Sequence, residues 1–163
     1  MIQLMPVLNI STIFSNLSPL GIKLIDAFME ASKDKKKAKE AADKLMYGVY
    51  SEIRKNLDRL SGYAPGTFKQ FTVDSPECKE LAAGLKVENM TKLLEQSFNV
   101  KARGKDAATM IALDKAVRFT ENLRSLTELP RKLLVKRRKP RVGIRIKHIR
   151  EQHIAAYNGL FKK

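Results

Sequence analysis

Apolar positions recur along this chain mostly with the period of an α-helix. Met46, Val49, Ile53, Leu57 and Leu60 step by three or four residues, which lines one helical face. Upstream, Ser18-Pro19 supplies an N-cap followed by proline at the first helical position. Leu20, Leu24, Phe28 and Ala31 continue from it at helical spacing. Ser32 to Lys44 is polar, rich in strong helix formers and free of breakers, which predicts a solvated helical bridge. Run as one helix, residues 19–60 would span about 63 Å at ~1.5 Å per residue. The pattern therefore predicts either a break near Ser32 or a projecting arm. Residues 2–16 are apolar and fit a short helix after Pro6 or an extended tail equally well.

Residues 61–74 contain Gly62, Pro65 and Gly66 and read as a loop. Ser75-Pro76-Glu77 restarts a helix by the same capping logic, with Leu81 and Leu85 inward and Gly84 as a point of division. Val87 to Phe98 follows, its face formed by Met90, Leu93, Leu94 and Phe98. After a turn bracketed by Asn99 and Gly104, Asp106 is expected to cap a helix from Ala107 to Leu129, which Pro130 ends. Its inward positions are Met110, Leu113, Val117, Leu123 and Leu126.

The last segment carries two patterns. Val142, Ile144 and Ile146 alternate as a strand would, with Leu133 to Val135 as a partner across a turn. Val142, Ile146, Ile149, His153, Ala156 and Leu160 instead step by four and three over nineteen residues. The longer pattern predicts a helix over 141–161. The fold class that results is all-α: a bundle of four to six helices with a long N-terminal helical arm and a basic C-terminal helix-turn-helix segment. One domain of 163 residues accommodates it. Within it stand an apolar segment (1–31), a polar bridge (32–44), a helical core (45–129) and a basic end (130–163).

Charge changes the picture at that end. Residues 131–150 hold ten Lys or Arg and no acid. Residues 129–163 carry a net of +11, out of +15 for the whole chain. Such a segment attracts polyanions. Arg137, Arg138, Lys139, Arg141 and Arg145 are the expected phosphate ligands, with Lys132, Lys136 and Lys147 in support. Guanidinium forks match phosphate oxygens and ammonium groups add point charge. The expected partner is RNA or DNA, contacted through its backbone. An acidic protein or an anionic membrane shares the chemistry, and apolar helix faces leave room for a homo-oligomer. A competing expectation is a scaffold or accessory subunit that docks on a partner or membrane through residues 1–31.

Other candidate chemistry is sparse. Tyr63, Phe68 and Phe71 flank Lys69 and Gln70, a mix that stacks unpaired bases or pins a loop to a core. Arg141 and His148, six residues between them, resemble the Arg-His signature of HEPN-type ribonucleases, which are also helical bundles. That resemblance implies an Arg and a His projecting together to cleave RNA, a third function after backbone binding and scaffolding. It covers two residues, and Val142 stands where the family carries a polar residue. His153 falls on the apolar stripe and reads as a core histidine.

No cofactor or metal is expected, since one Cys and two His do not make a ligand set. Cys78, alone, forms no internal disulfide and suits a reducing compartment. Residues 1–22 are uncharged but interrupted by Pro, Asn, Ser and Thr, and no basic stretch precedes them. A cytoplasmic, non-enzymatic protein is the expectation.

Overall fold

A computed structural model describes residues 13, 15–30, 32–62, 72–97, 99–130 and 142–162. Among them lie six helices and no strand: α1 (Pro19–Glu30), α2 (Lys35–Ser61), α3 (Pro76–Gly84), α4 (Glu88–Gln96), α5 (Lys105–Glu128) and α6 (Val142–Phe161). The fold is an all-helical bundle.

Helix boundaries follow local chemistry. The Ser18 side chain accepts a hydrogen bond from the Gly21 N–H at 3.1 Å, so it caps α1 as its sequence predicts. Ser75 does the same for α3 through the Cys78 N–H, with Pro76 at the first helical position. The 63 Å rod does not form. The chain breaks at 32–34, where Asp34 accepts from the Lys37 N–H and starts α2 afresh. Helix α1 then packs back on α2 and on α6, so it is a packed element and not a projecting arm. The polar start of α2 exposes its lysines but buries Ala38 and Ala42.

Helix α5 begins earlier than Asp106 predicts. Gly104, at φ +59°, occupies the N-cap position, a backbone conformation that favours glycine. Asp106 sits inside the first turn, where the helix dipole favours its charge, and pairs with Lys23 of α1 at 3.1 Å.

The most extensive packing joins α5 and α6. The Phe119 ring lies 6.4 Å from that of His148, and Thr109 abuts Gly159, so the two helices run antiparallel. A Cβ on Gly159 would fall 2.0 Å from Thr109 Oγ1, so only glycine permits this approach.

Two apolar clusters result. The larger gathers Ile13, Leu17, Leu20 and Leu24 with Met46 to Leu57, Val87, Met90, Leu93, the first half of α5 and the last turns of α6. Tyr50, Tyr157 and Phe161 stack within it, Tyr50 edge-on to Phe161 at 5.4 Å. The smaller holds Leu60, Val73, Cys78, Leu81, Ala82, Leu85, Leu123, Val142, Ile146 and Ile149. It lies beneath the N-terminal half of α6.

Candidate functional site

Helix α6 buries Val142, Ile146, Ile149, His153, Ala156 and Leu160, the stripe expected from its four-three spacing. The helix thereby turns its other face outward. Arg145 and Lys147 are exposed on that face, together with His148 and Ile144, which is 45% exposed. Arg150 is half-exposed. Ile144 therefore belongs to the outer face, and the strand-like alternation of Val142, Ile144 and Ile146 does not describe this segment.

The two described phosphate candidates differ in their surroundings. Lys147 Nζ lies 3.8 Å from Glu151 Oε1, one turn on, with both side chains largely in solvent. Arg145 has no carboxylate within ion-pair distance among the described residues. Lys132, Lys136, Arg137, Arg138, Lys139 and Arg141 lie outside the described residues, as do Tyr63, Phe68 and Phe71.

A buried polar junction holds α6 in place. His153 is fully buried, and its Nδ1 lies 2.8 Å from the Ile149 carbonyl. That carbonyl only accepts, so Nδ1 carries the proton and Nε2 is the acceptor. Nε2 takes its hydrogen bond from the Asn56 amide at 3.0 Å. The same Asn56 amide group donates to the Lys86 carbonyl at 2.7 Å, and its Oδ1 accepts from the Lys86 N–H at 3.0 Å. One side chain thus ties α2, the α3–α4 link and α6 together. Burial pulls the His153 pKa down to about 4, because a charged imidazolium there would lose its water.

One turn away, Glu52 is also buried. Its carboxylate accepts from the Asn89 N–H at 3.0 Å, the Met90 N–H at 2.9 Å and the Asn89 side-chain amide at 3.1 Å. Helix α4 has no side-chain cap of its own, since Val87 stands at its N-cap. Glu52 supplies it from α2. These contacts hold the bundle together and leave His153 without a free ring nitrogen for chemistry. Cys78 is buried too, and desolvation pushes its thiol up to about 11, which disfavours the reactive thiolate.

Exposed His148 stands beside Phe119, whereas Arg141, its partner in the ribonuclease-like pair, is outside the described residues. Among the described residues, no group of three His, Cys, Asp or Glu side chains could hold a metal, and no helix is long and apolar enough to cross a membrane.

Sequence reasoning missed one gathering of basic groups. Arg59 and Arg124, far apart in the chain, bring their guanidinium groups to Gly84 and Leu85, next to exposed Lys86 at the α3–α4 link. No protein-family model matches the chain, and no similar curated protein or solved structure was found.

Proposed function

We propose that this is a non-enzymatic helical protein that binds the phosphate backbone of nucleic acid through residues 131–150. The observation that carries the reading is the density of that segment: ten basic residues in twenty with no acid among them. The fold supports it, because the buried stripe of α6 leaves Arg145 and Lys147 facing solvent. Arg137, Arg138, Lys139, Arg141 and Arg145 are the principal phosphate ligands. Lys132, Lys136 and Lys147 add charge around them. Contacts of this kind fix position on a backbone and carry little base specificity.

Each neutralised phosphate releases condensed counterions, so binding must be salt-sensitive. With six to ten contacts, affinity should fall roughly 10³- to 10⁵-fold between about 50 and 200 mM salt. The test is fluorescence anisotropy of a labelled 25-mer RNA at those two salt concentrations, with single- and double-stranded DNA as competitors. Arg137→Ala, Arg138→Ala and Arg141→Ala combined should weaken binding and flatten the salt dependence. Unchanged affinity in that triple variant would refute the assignment. Absence of binding at the lower salt would move the basic end to an acidic protein or anionic membrane. An RNA probe found cleaved afterwards would instead favour the ribonuclease reading.

A further inference from the structure

We propose that Arg59, Lys86 and Arg124 form a phosphate-binding site at the α3–α4 link, a second point of contact for the same nucleic-acid backbone. The identity of the ligand rests on the reading given under Proposed function. The site itself rests on its own geometry.

Two guanidinium groups, from Arg59 and Arg124, lie against the three-residue stretch 84–86, and exposed Lys86 is the last residue of that stretch. The Arg59 guanidinium, from the last turn of α2, lies over Gly84. A Cβ on that glycine would stand 2.6 Å from Arg59 Nη1 and 2.9 Å from Cζ, so the missing side chain makes room for the fork. Arg124, from α5, donates through Nη2 to the Leu85 carbonyl just past the end of α3. Lys86 follows immediately, its backbone clamped by Asn56 and its side chain exposed.

None of the ion pairs among the described residues involves Arg59, Lys86 or Arg124. A guanidinium has five N–H donors, and Arg124 directs one of its own to a carbonyl. The Arg59 and Lys86 side chains make no hydrogen bond among the described residues, and both residues are exposed, so their N–H donors are open to a ligand. Arginine does not relieve mutual repulsion by losing a proton. The C-terminal ends of α2 and α3 offset part of the charge through their carbonyl dipoles, at most a fraction of three full charges. An anion with several acceptor oxygens offsets the rest, and phosphate matches forked donors better than a single-point anion does.

The location agrees with a backbone ligand. Leu85, between the flanking cations, packs in the same apolar cluster as Val142, Ile146 and Ile149 of α6. The site therefore shares an end of the bundle with Arg145 and Lys147. A nucleic acid held by the 131–150 segment would have a second set of donors there.

The test has two arms. In the first, inorganic phosphate is titrated into the full chain at constant ionic strength, and the arginine side-chain N–H resonances are followed by NMR. Saturable shifts at Arg59 and Arg124 are expected, and Arg59→Gln with Lys86→Gln should raise the apparent Kd at least ten-fold. Gly84→Ala keeps every charge but displaces the Arg59 fork, and it should also weaken phosphate. No saturable shift in the parent chain overturns the site. So does a Gly84→Ala variant that binds as the parent does, because the effect would then be diffuse charge without a built geometry.

In the second arm, the Arg59→Gln/Lys86→Gln chain binds the 25-mer RNA across a salt series. Two lost contacts should reduce the slope of log K against log salt by about 1.4, at ~0.7 per single-strand phosphate. An unchanged slope with a positive first arm would make this a free-phosphate site and overturn the backbone assignment. A parent chain that binds no RNA refutes the proposed function, and the phosphate titration alone then decides the site.

Discussion

The two ends of the bundle are built differently. The larger apolar cluster draws on α1, α2, α4, α5 and α6, with three aromatic rings stacked inside it and Ile13 and Leu17 laid against it. The smaller draws on the end of α2, α3, the last part of α5 and the first turns of α6, chiefly through aliphatic side chains. Arg145 and Lys147 stand on the helix whose buried face helps build the smaller one. Burial is worth roughly 25 cal/mol per Å² of apolar area, so the aromatic end contributes more of the stability. The end that carries Arg145, Arg59 and Arg124 has the thinner core beneath it. What joins the two is polar: Asn56 with His153 and Lys86, and Glu52 one turn away. One end therefore holds more of the stabilising apolar contacts, and the other carries Arg145, Arg59 and Arg124 over fewer of them. The junction keeps them in register.

Breaking that junction should have the largest effect. Asn56→Ala leaves the part-buried Lys86 N–H and carbonyl and the buried His153 Nε2 without their partner. At about 1–3 kcal/mol for each buried orphan, and with partial relaxation, the expected loss is roughly 4 kcal/mol. Urea denaturation measures it directly. A loss under about 1 kcal/mol would mean the two ends do not depend on this side chain.

Acid should attack the same place. The ordinary His pKa is 6.5 and that of buried His153 is about 4. Above pH ~6.5 both folded and unfolded chains hold a neutral ring, and the stability is intact. As pH falls from ~6.5 towards ~4, the unfolded chain takes up a proton that the folded one refuses, so stability declines. By pH ~4 the cost is about 3 kcal/mol, from ~1.36 kcal/mol per pKa unit. Other groups titrate in this range as well, so the comparison is with His153→Gln. That variant should lose markedly less stability than the parent between pH 7 and 4. Equal losses would place His153 outside the acid response.

Two smaller effects separate the ends. Gly159→Ala drives a methyl into Thr109 at the aromatic end and should cost about 1–3 kcal/mol, as overpacked contacts do. Glu52→Gln removes the charge that caps α4 and leaves one acceptor oxygen for three N–H groups. The expected cost is about 2 kcal/mol, read as faster amide exchange at Asn89 and Met90 ahead of the rest of the chain. Exchange that quickens uniformly would show that the cap is not local.

Much of the architecture was legible because it is written in short-range patterns. Ser18-Pro19 and Ser75-Pro76 start helices where N-cap chemistry puts them, and the Met46-to-Leu60 and Val142-to-Leu160 stripes are the buried faces. The N-terminal end of α5 was displaced because a positive-φ glycine competed with Asp106, and one-dimensional pattern cannot rank the two. Glu52 and Asn56 stand beside the apolar stripe in sequence, and nothing in the local pattern singles them out. Their partners lie thirty or more residues away, so their burial has no local signature. The approach of Arg59 and Arg124 to the α3–α4 link is hidden for the same reason. Of the basic segment, the charge was legible from composition, whereas the outward aim of Arg145 and Lys147 needed the helix phase of α6.

The last contrast lies within the basic end itself. Among the described residues Arg145 has no carboxylate within ion-pair distance, whereas Lys147 faces Glu151, the one acid between residues 129 and 163. If α6 takes part in binding, Arg145→Ala should lower RNA affinity by about three- to five-fold at ~0.1 M salt, as loss of one phosphate contact does. Lys147→Ala should lower it less, since part of its field is already directed at Glu151. Glu151→Gln should do the reverse. It frees Lys147 and removes a charge that repels phosphate, so affinity should rise about two-fold. Stability should hardly move, because exposed one-turn ion pairs contribute little. Anisotropy on the three variants reads all three signs at once. If Glu151→Gln and Arg145→Ala both bind as the parent does, the outer face of α6 lies outside the interface. The phosphate contacts would then be confined to residues 131–141.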